Sequence, residues 1–167
     1  MKFLELRPEQ LITSNYDILH DKNALALYFE LYRTGNSLLV PPVIVMRTET
    51  ALHLSPELKR LAEGQMLPEY FLTDGSHRTT AACLTHNMCQ AVALFDDASL
   101  AEAKEMAQRG EIFPYNLGKD IVEEAGFLAK HFLEKSGFQT VVDKTEKLIS
   151  AGEIPEAMVV YYRNFGK

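Results

Sequence analysis

The stretch EYFLTDGSHRTTAACL, residues 69–84, constrains the fold of this chain more than any other segment. Its apolar run YFL is typical of a short buried strand. Asp74-Gly75 predicts a sharp turn, because glycine adopts a positive φ at little cost. The alanine-containing segment that follows predicts a helix beginning at Ser76 or His77. A strand, a turn and a helix start are therefore expected in immediate succession.

The polar cluster at this turn admits three interpretations: a reaction centre, a phosphate cradle or a polar helix cap. Backbone N–H groups in the first turn of a helix have no partner within the helix, and the helix dipole favours an anion there. Arg78 opposes that dipole at a cost of roughly 0.3–1 kcal/mol, and an anionic ligand would remove this conflict. A guanidinium also binds phosphate through two parallel hydrogen bonds. From the residues alone, the phosphate cradle and a plain polar cap, with Asp74 or Ser76 as the capping residue, both stay open.

Apolar patterning elsewhere predicts a mixed α/β first half and a helical second half. Further strands are expected at residues 2–6, 43–46 and 91–95, and further helices at 16–32 and 55–64. The segment RPEQLITSN predicts a turn or a short helix. After residue 97 three segments predict helices, and IPEAMVVYYRNF predicts either a helix or a strand. We therefore expect one domain at 1–97 and a helical C-terminal region at 98–167 packed on it.

Composition narrows the range of partners and the compartment. The chain is 47% hydrophobic with a net charge of −6, which argues against non-specific binding to DNA or to an anionic membrane. No apolar run approaches the ~18 residues of a membrane span, and the N-terminal segment lacks a signal-peptide core. Cys83 and Cys89 lie in or just after one predicted helix, where a spacing of six places them on different faces and disfavours a disulfide. We expect a reduced, cytoplasmic protein.

The ordered segments resemble the ParB/sulfiredoxin superfamily. Its signature turn is written D-G-x-H-R, G-E-R-R or G-C-H-R before an alanine-containing helix, and residues 74–78 are DGSHR with alanines at 81 and 82. PPVIVM is similar to the family's strand introduced by proline, KFLELRPEQLI to its opening strand and turn, and CQAVALF to its later strand. The resemblance covers residues 2–97. It implies an α+β fold, with a small mixed sheet, packed helices and here a helical C-terminal extension.

The resemblance also implies a function, because superfamily members bind nucleotide phosphates at this turn. The expected ligand is ATP, ADP or another nucleotide, with Mg²⁺, and Asp74 would orient the loop or help to hold the metal. Thr79 would donate its hydroxyl to a phosphate or cap the helix. The resemblance assigns phosphate binding to five residues: Gly75, Ser76, His77, Arg78 and Thr79.

Catalysis is implied for Asp74, His77 and Arg78, as phosphoryl transfer or nucleotide hydrolysis. The acceptor would be a small hydroxyl compound or water. In the serine-kinase branch a glutamate soon after the first strand is the base, for which this chain offers Glu9 and Asp17. A base must lie within hydrogen-bond reach of the proton that it removes. For both carboxylates the alternative is a solvated loop or helix residue.

Departures from the family limit the activity further. Ser76 stands where sulfiredoxins carry their reactive cysteine, so thiol-dependent chemistry is not expected. ParB partition proteins carry a basic second domain that reads DNA, and the acidic region after residue 97 does not resemble one, so DNA partitioning is not expected either. His53, His86 and His131 lack a paired metal-ligand spacing, which favours surface or core roles. The C-terminal YYRNF favours core packing or a homodimer contact over base stacking.

Two alternatives to a phosphotransferase or NTPase stay open. The first is a non-catalytic module that senses a nucleotide or another anion and engages a protein partner through its helical region. The second, less favoured, is a ParB-like nuclease, because the acidic charge and the absence of a clear carboxylate constellation weigh against it.

Overall fold

The computed structural model describes residues 3–16 and 19–165. The strands in this part of the chain are β1 Leu4–Leu6, β2 Leu11–Thr13, β3 Val43–Arg47, β4 Tyr70–Asp74, β5 Cys89–Leu94 and β6 Gln139–Thr140. The helices are α1 Lys22–Arg33, α2 Thr48–Leu54, α3 Pro56–Leu61, α4 Ser76–Leu84, α5 Asp97–Gln108, α6 Ile121–Glu134, α7 Val141–Ser150 and α8 Glu156–Phe165.

The strands form one mixed sheet in the order β1-β5-β3-β4-β2-β6. The β5–β3 and β4–β2 pairs are parallel, and the other neighbouring pairs are antiparallel. Because β2 and β4 are parallel neighbours, their carboxyl ends meet at one edge of the sheet. The Asp74-Gly75 turn therefore lies beside the segment that follows Thr13.

Alternation along the strands builds two apolar cores, one on each face of the sheet. Val43 and Val45 pack with α1, α4, α7 and α8. Ile44 and Met46 pack with α2, α3, α5 and α6 on the opposite face. The central strands are buried on both faces, which explains why VIVM is a continuous apolar run rather than an alternating one.

The C-terminal region contributes to both faces and to the sheet itself. Helices α5 and α6 belong to one core, and α7 and α8 belong to the other. Strand β6 pairs with β2, with Thr140 opposite Ile12. The division at residue 97 stays a prediction.

The mixed α+β class expected from the sequence is confirmed, with corrections to individual elements. Residues 11–13, predicted as part of a turn or short helix, form β2, because pairing with β4 and β6 satisfies their backbone. Helix α1 begins at Lys22 rather than at 16, because the Asp21 carboxylate caps it by accepting a hydrogen bond from Ala24 N–H. Strand β6 and helix α2 were not expected. The C-terminal segment is helical.

Candidate functional site

The Asp74-Gly75 turn joins β4 directly to α4. Gly75 has a φ of +117°, in the region that favours glycine. A Cβ built on it would lie 2.5 Å from Val43 Cγ1, at the start of β3. Glycine is therefore required here both by the backbone conformation and by the close approach of the neighbouring strand.

The Arg78 guanidinium is engaged within the protein. Its side chain is buried, and Nη2 donates to Asp74 Oδ2 at 2.7 Å. Nη1 donates to the carbonyl oxygens of Pro41 and Pro42. From the sequence, an anionic ligand is the expected counter-charge for Arg78 at the positive end of the helix dipole. In the structure Asp74 supplies that charge, so Arg78 holds the turn against the entrance of β3.

His77 and Thr79 also make contacts within the protein. His77 Nε2 accepts a hydrogen bond from the Asp21 backbone N–H at 3.1 Å, which requires a neutral ring with its proton on Nδ1. Burial lowers the pKa of His77, in agreement with that state. The Thr79 hydroxyl is buried and donates to the carbonyls of Gly75 and Ser76. The hydroxyl proton of Thr79 is therefore used within the helix; the bond is not a cap, because a capping side chain accepts from a free backbone N–H.

Ser76 lies beside a buried lysine that sequence reasoning missed. Lys144, on α7, is only 4% exposed, and its ammonium donates to Ser76 Oγ and to Ser14 Oγ at 3.2 Å each. Among the residues that the structure describes, no side chain caps the first turn of α4, so the N–H groups of Ser76 and His77 have no capping partner there. A positive charge and a helix N-terminus thus converge at Ser76.

A cavity of about 300 Å³ opens at the carboxyl ends of β2 and β4, next to this turn. It lies between those strand ends and α6. Thr73, the residue before Asp74, lines the cavity and is the extra residue of a β-bulge against β3. The polar residues that line the cavity are Ser14, Thr73, Asn116, Glu124 and His131.

Glu124 places a buried carboxylate in the wall of this cavity. The residue is 4% exposed, and its Oε2 accepts a hydrogen bond from Gly118 N–H at 2.7 Å. Burial raises the pKa of Glu124; the Gly118 hydrogen bond opposes this rise, and the nearby Asp74 carboxylate adds to it. This environment is typical of a proton acceptor tuned toward neutral pH.

His131 lies two turns from Glu124 on the same side of α6. Its Nε2 accepts a hydrogen bond from Asn15 N–H at 3.0 Å, and its ring contacts that of Tyr16, with centroids 4.9 Å apart. Burial lowers the pKa of His131, and the positive charge of Lys144 adds to this effect. The ring is therefore neutral at physiological pH and holds the segment after β2 against α6.

Glu9, expected as a general base, lies away from the turn. It is in the short 3-10 turn Pro8–Gln10 and lines a different cavity with Cys83 and His86, at the far end of α4. The structure therefore does not bring Glu9 together with Asp74 and Arg78. Asp17, the other carboxylate considered, lies outside the described residues.

Asp74 is the predicted site residue with a carboxylate available for Mg²⁺. Its Oδ2 is paired with Arg78, whereas no described residue hydrogen-bonds to Oδ1, and the side chain is a quarter exposed. Within residues 3–16 and 19–165, no three His, Cys, Asp or Glu side chains are grouped as a metal site. This arrangement fits a Mg²⁺ ion that one carboxylate and substrate phosphates hold together.

Lys144 and Glu124 share a feature of the sequence that indicates a buried charge. Each is a charged residue at an apolar position of its helix: Lys144 between Val141 and Leu148, and Glu124 between Ile121 and Leu128. A charge in such a stripe is rarely buried without a partner or a function. The periodicity identifies both positions, but it does not place them beside the turn.

Comparisons with protein-family models, with curated proteins and with solved structures give no match to this chain. In the part of the chain that the structure describes, no helix combines the length and the apolar character needed to cross a membrane.

Replacement of Glu124 by glutamine is expected to raise the melting temperature at neutral pH. The folded-state pKa of Glu124 lies above its ordinary value of 4.5, so the folded state binds the proton more tightly than the unfolded state does. The resulting stabilisation is full below that ordinary value and is lost as the pH rises through the folded-state pKa. The gain of Glu124→Gln over wild type should therefore shrink as the pH falls toward 4.

Thermal unfolding of Glu124→Gln and wild type between pH 4 and pH 8 measures this difference. The control is Glu134→Gln, an identical change at an exposed position of the same helix. An equal or lower melting temperature for Glu124→Gln at neutral pH would contradict the expectation.

Proposed function

We propose that the chain has a ParB/sulfiredoxin-like fold and that the turn at Asp74–Arg78 binds the phosphates of a nucleotide. The observation that carries this proposal is the convergence on Ser76 of the buried Lys144 ammonium and the uncapped N-terminus of α4. Both favour an anion at the same point. Gly75 supports it further, since its positive φ turns the chain from β4 directly into the N-terminus of α4.

Some residues at the turn bind the phosphates, and others hold the turn in position. The backbone N–H groups of Ser76 and His77 donate to phosphate oxygens, and Lys144 supplies the positive charge. Arg78 acts as a positioning residue, because its guanidinium holds Asp74 and the chain before β3. Thr79 keeps its hydroxyl within the helix.

Mg²⁺ would enter this site with the nucleotide and be held by Asp74 together with phosphate oxygens. When bound, such an ion neutralises charge on the phosphates during their transfer. The supporting observation is the free Asp74 Oδ1, whose partner oxygen stays fixed by Arg78.

The proposed chemistry is phosphoryl transfer to a small hydroxyl compound, or hydrolysis, in a cytoplasmic protein. Sulfiredoxin-type chemistry is not proposed, because Ser76 lacks a thiol and Cys83, two turns further along α4, is poorly reactive. Burial raises the pKa of Cys83 to about 11, so its thiolate is scarce at neutral pH.

A non-catalytic sensing module is the second candidate. The observation that favours it is a set of exposed apolar side chains in the segment before α6 and on α6 itself, of which Phe127 lines the cavity: Phe113, Tyr115, Val122 and Phe127. Such a group is typical of a protein–protein contact. The two candidates differ in turnover, which the enzyme has and the module lacks.

A thermal-shift panel of nucleotides with and without Mg²⁺ tests the proposed function. A ligand at 100 times its dissociation constant adds about 2.7 kcal/mol to the folded state, which for a domain of this size raises the melting temperature by roughly 5–10 °C. Release of ADP or phosphate would then support the enzyme, whereas binding without release would support the non-catalytic sensing module.

The matched ligand control is the corresponding nucleoside, which lacks phosphates and should not shift the melting temperature. If no nucleotide, pyrophosphate or inorganic phosphate stabilises the protein, the proposed function is overturned. The turn would then be a helix start held by Arg78 alone.

A further inference from the structure

The cavity between β4 and α6 lies directly beside the proposed phosphate site. Thr73, which lines it, is adjacent in sequence to Asp74. Ser14, which also lines it, shares the Lys144 ammonium with Ser76. One lysine thus connects the phosphate turn to the cavity, and a molecule in the cavity would lie next to a phosphate bound at Ser76.

The Glu124 carboxylate has one oxygen fixed and one available. Oε2 is anchored by Gly118 N–H, while Oε1 has no hydrogen-bond partner among the described residues. In that part of the chain no fully buried side-chain oxygen or nitrogen lacks a partner. Since Oε1 has none, it is accessible to solvent, and Glu124 is among the residues that line the cavity. The anchored carboxylate is therefore held with a free oxygen toward a bound molecule.

The lining of the cavity indicates the class of that molecule. Its volume of about 300 Å³ is at the lower end of the range for small-molecule sites. Its described lining residues include no lysine or arginine, so an anionic acceptor would lack a counter-charge in the cavity wall. Ser14, Thr73 and Asn116 offer polar contacts. The remaining lining residues are aromatic or aliphatic: Tyr16, Leu72, Phe127, Leu128 and Phe132.

We propose that this cavity binds a small uncharged alcohol with an apolar portion, and that Glu124 is the general base of its phosphorylation. The inference rests on the proposed function, since the phosphate donor is a nucleoside triphosphate at the Ser76 turn. The acceptor O–H bond breaks and its proton passes to Glu124 Oε1. The acceptor oxygen bonds to the terminal phosphorus, and the bond from that phosphorus to the bridging oxygen breaks, which releases the nucleoside diphosphate.

The experiment measures nucleotide binding, alcohol binding and turnover separately. Calorimetry gives the dissociation constant of ATP–Mg²⁺ for wild type, Glu124→Gln and Glu134→Gln. Benzyl alcohol, 2-phenylethanol and glycerol are the acceptor probes, and the methyl ether of 2-phenylethanol is the control without a hydroxyl proton. Methyl resonances of Leu72 and Leu128 report occupation of the cavity, and ADP release reports transfer.

The expected result is ADP release that an alcohol increases and its ether does not. General-base catalysis contributes about 10²–10⁴-fold, so Glu124→Gln should reduce the alcohol-dependent rate by that factor. Its dissociation constant for ATP–Mg²⁺ should stay within about twofold of wild type, since the hydrogen bond of Glu124 is with Gly118 rather than with the turn. Glu134→Gln should behave as wild type in all three measurements.

Three results would overturn the inference while leaving nucleotide binding intact. They are undisturbed Leu72 and Leu128 resonances with every alcohol, no alcohol-dependent ADP release, or full alcohol-dependent turnover in Glu124→Gln. Absence of ATP binding by wild type is a different failure, visible in calorimetry before any alcohol is added. That result overturns the proposed function and this inference together.

Discussion

Arg78→Ala is expected to lower the free energy of unfolding by about 3–5 kcal/mol, the usual effect of removing one partner of a buried ion pair. The variant leaves the Asp74 carboxylate without its cation and two proline carbonyls without their donor. Domains are stable by only about 5–15 kcal/mol, so this loss is a large share of the total. The melting temperature should fall by roughly 6–20 °C. Chemical denaturation followed by circular dichroism measures the change.

The chain offers a matched control for this variant. Arg33 and Glu30 form an ion pair with the same 2.7 Å separation as Arg78 and Asp74, but both side chains are exposed. Arg33→Ala should therefore leave the free energy of unfolding close to that of wild type. If instead Arg78→Ala were as stable as wild type and lost nucleotide affinity alone, the guanidinium would bind phosphate rather than hold the turn.

Lys144→Met is expected to weaken the binding of ATP–Mg²⁺ by about 10- to 150-fold. Methionine keeps an unbranched apolar side chain in the buried stripe of α7 but removes the ammonium beside Ser76. A hydrogen bond to a charged group contributes about 1.5–3 kcal/mol, and each 1.4 kcal/mol changes a dissociation constant tenfold. Calorimetric titration measures the ratio, and circular dichroism establishes that the variant is folded.

Lys147→Met is the control for this effect. Lys147 lies almost one turn further along α7, and its ammonium donates to Gln139 rather than to Ser76. The same loss of charge on the same helix should leave the dissociation constant within about threefold of wild type. Equal weakening by both variants would mean that overall charge, not the Ser76 contact, governs affinity.

The central part of the fold could be predicted because the sequence encodes it locally. The apolar run at residues 43–46 falls within β3, and the run at 91–95 falls within β5 except for residue 95. Asp74-Gly75 falls at the end of β4. The short strands β2 and β6 could not be predicted, because a two- or three-residue segment has no periodicity of its own. Residues 11–13 are extended because β4 and β6 lie on either side of them.

Roles within the site were harder to predict than its position. The sequence shows that Arg78 opposes the helix dipole. The groups that compensate its charge are the carbonyls of Pro41 and Pro42, which are distant in sequence, and the Asp74 carboxylate across the turn. Glu9 is close to β2 in sequence and still faces the far end of α4. The carboxylate that lines the cavity beside the turn is Glu124, which comes from a helix some fifty residues further along the chain.

The sequence by itself determined the strand, the glycine turn and the helix start at residues 70–84, because each depends on the conformational preferences of a few neighbouring residues. Only the tertiary structure decided which charges face that turn. Lys144 reaches the turn, and Glu124 reaches the cavity beside it, because α7 and α6 pack on opposite faces of one sheet near the carboxyl ends of β2 and β4. Helical periodicity sets which side of a helix is buried, whereas the partner of a buried charge is set by packing across the whole domain.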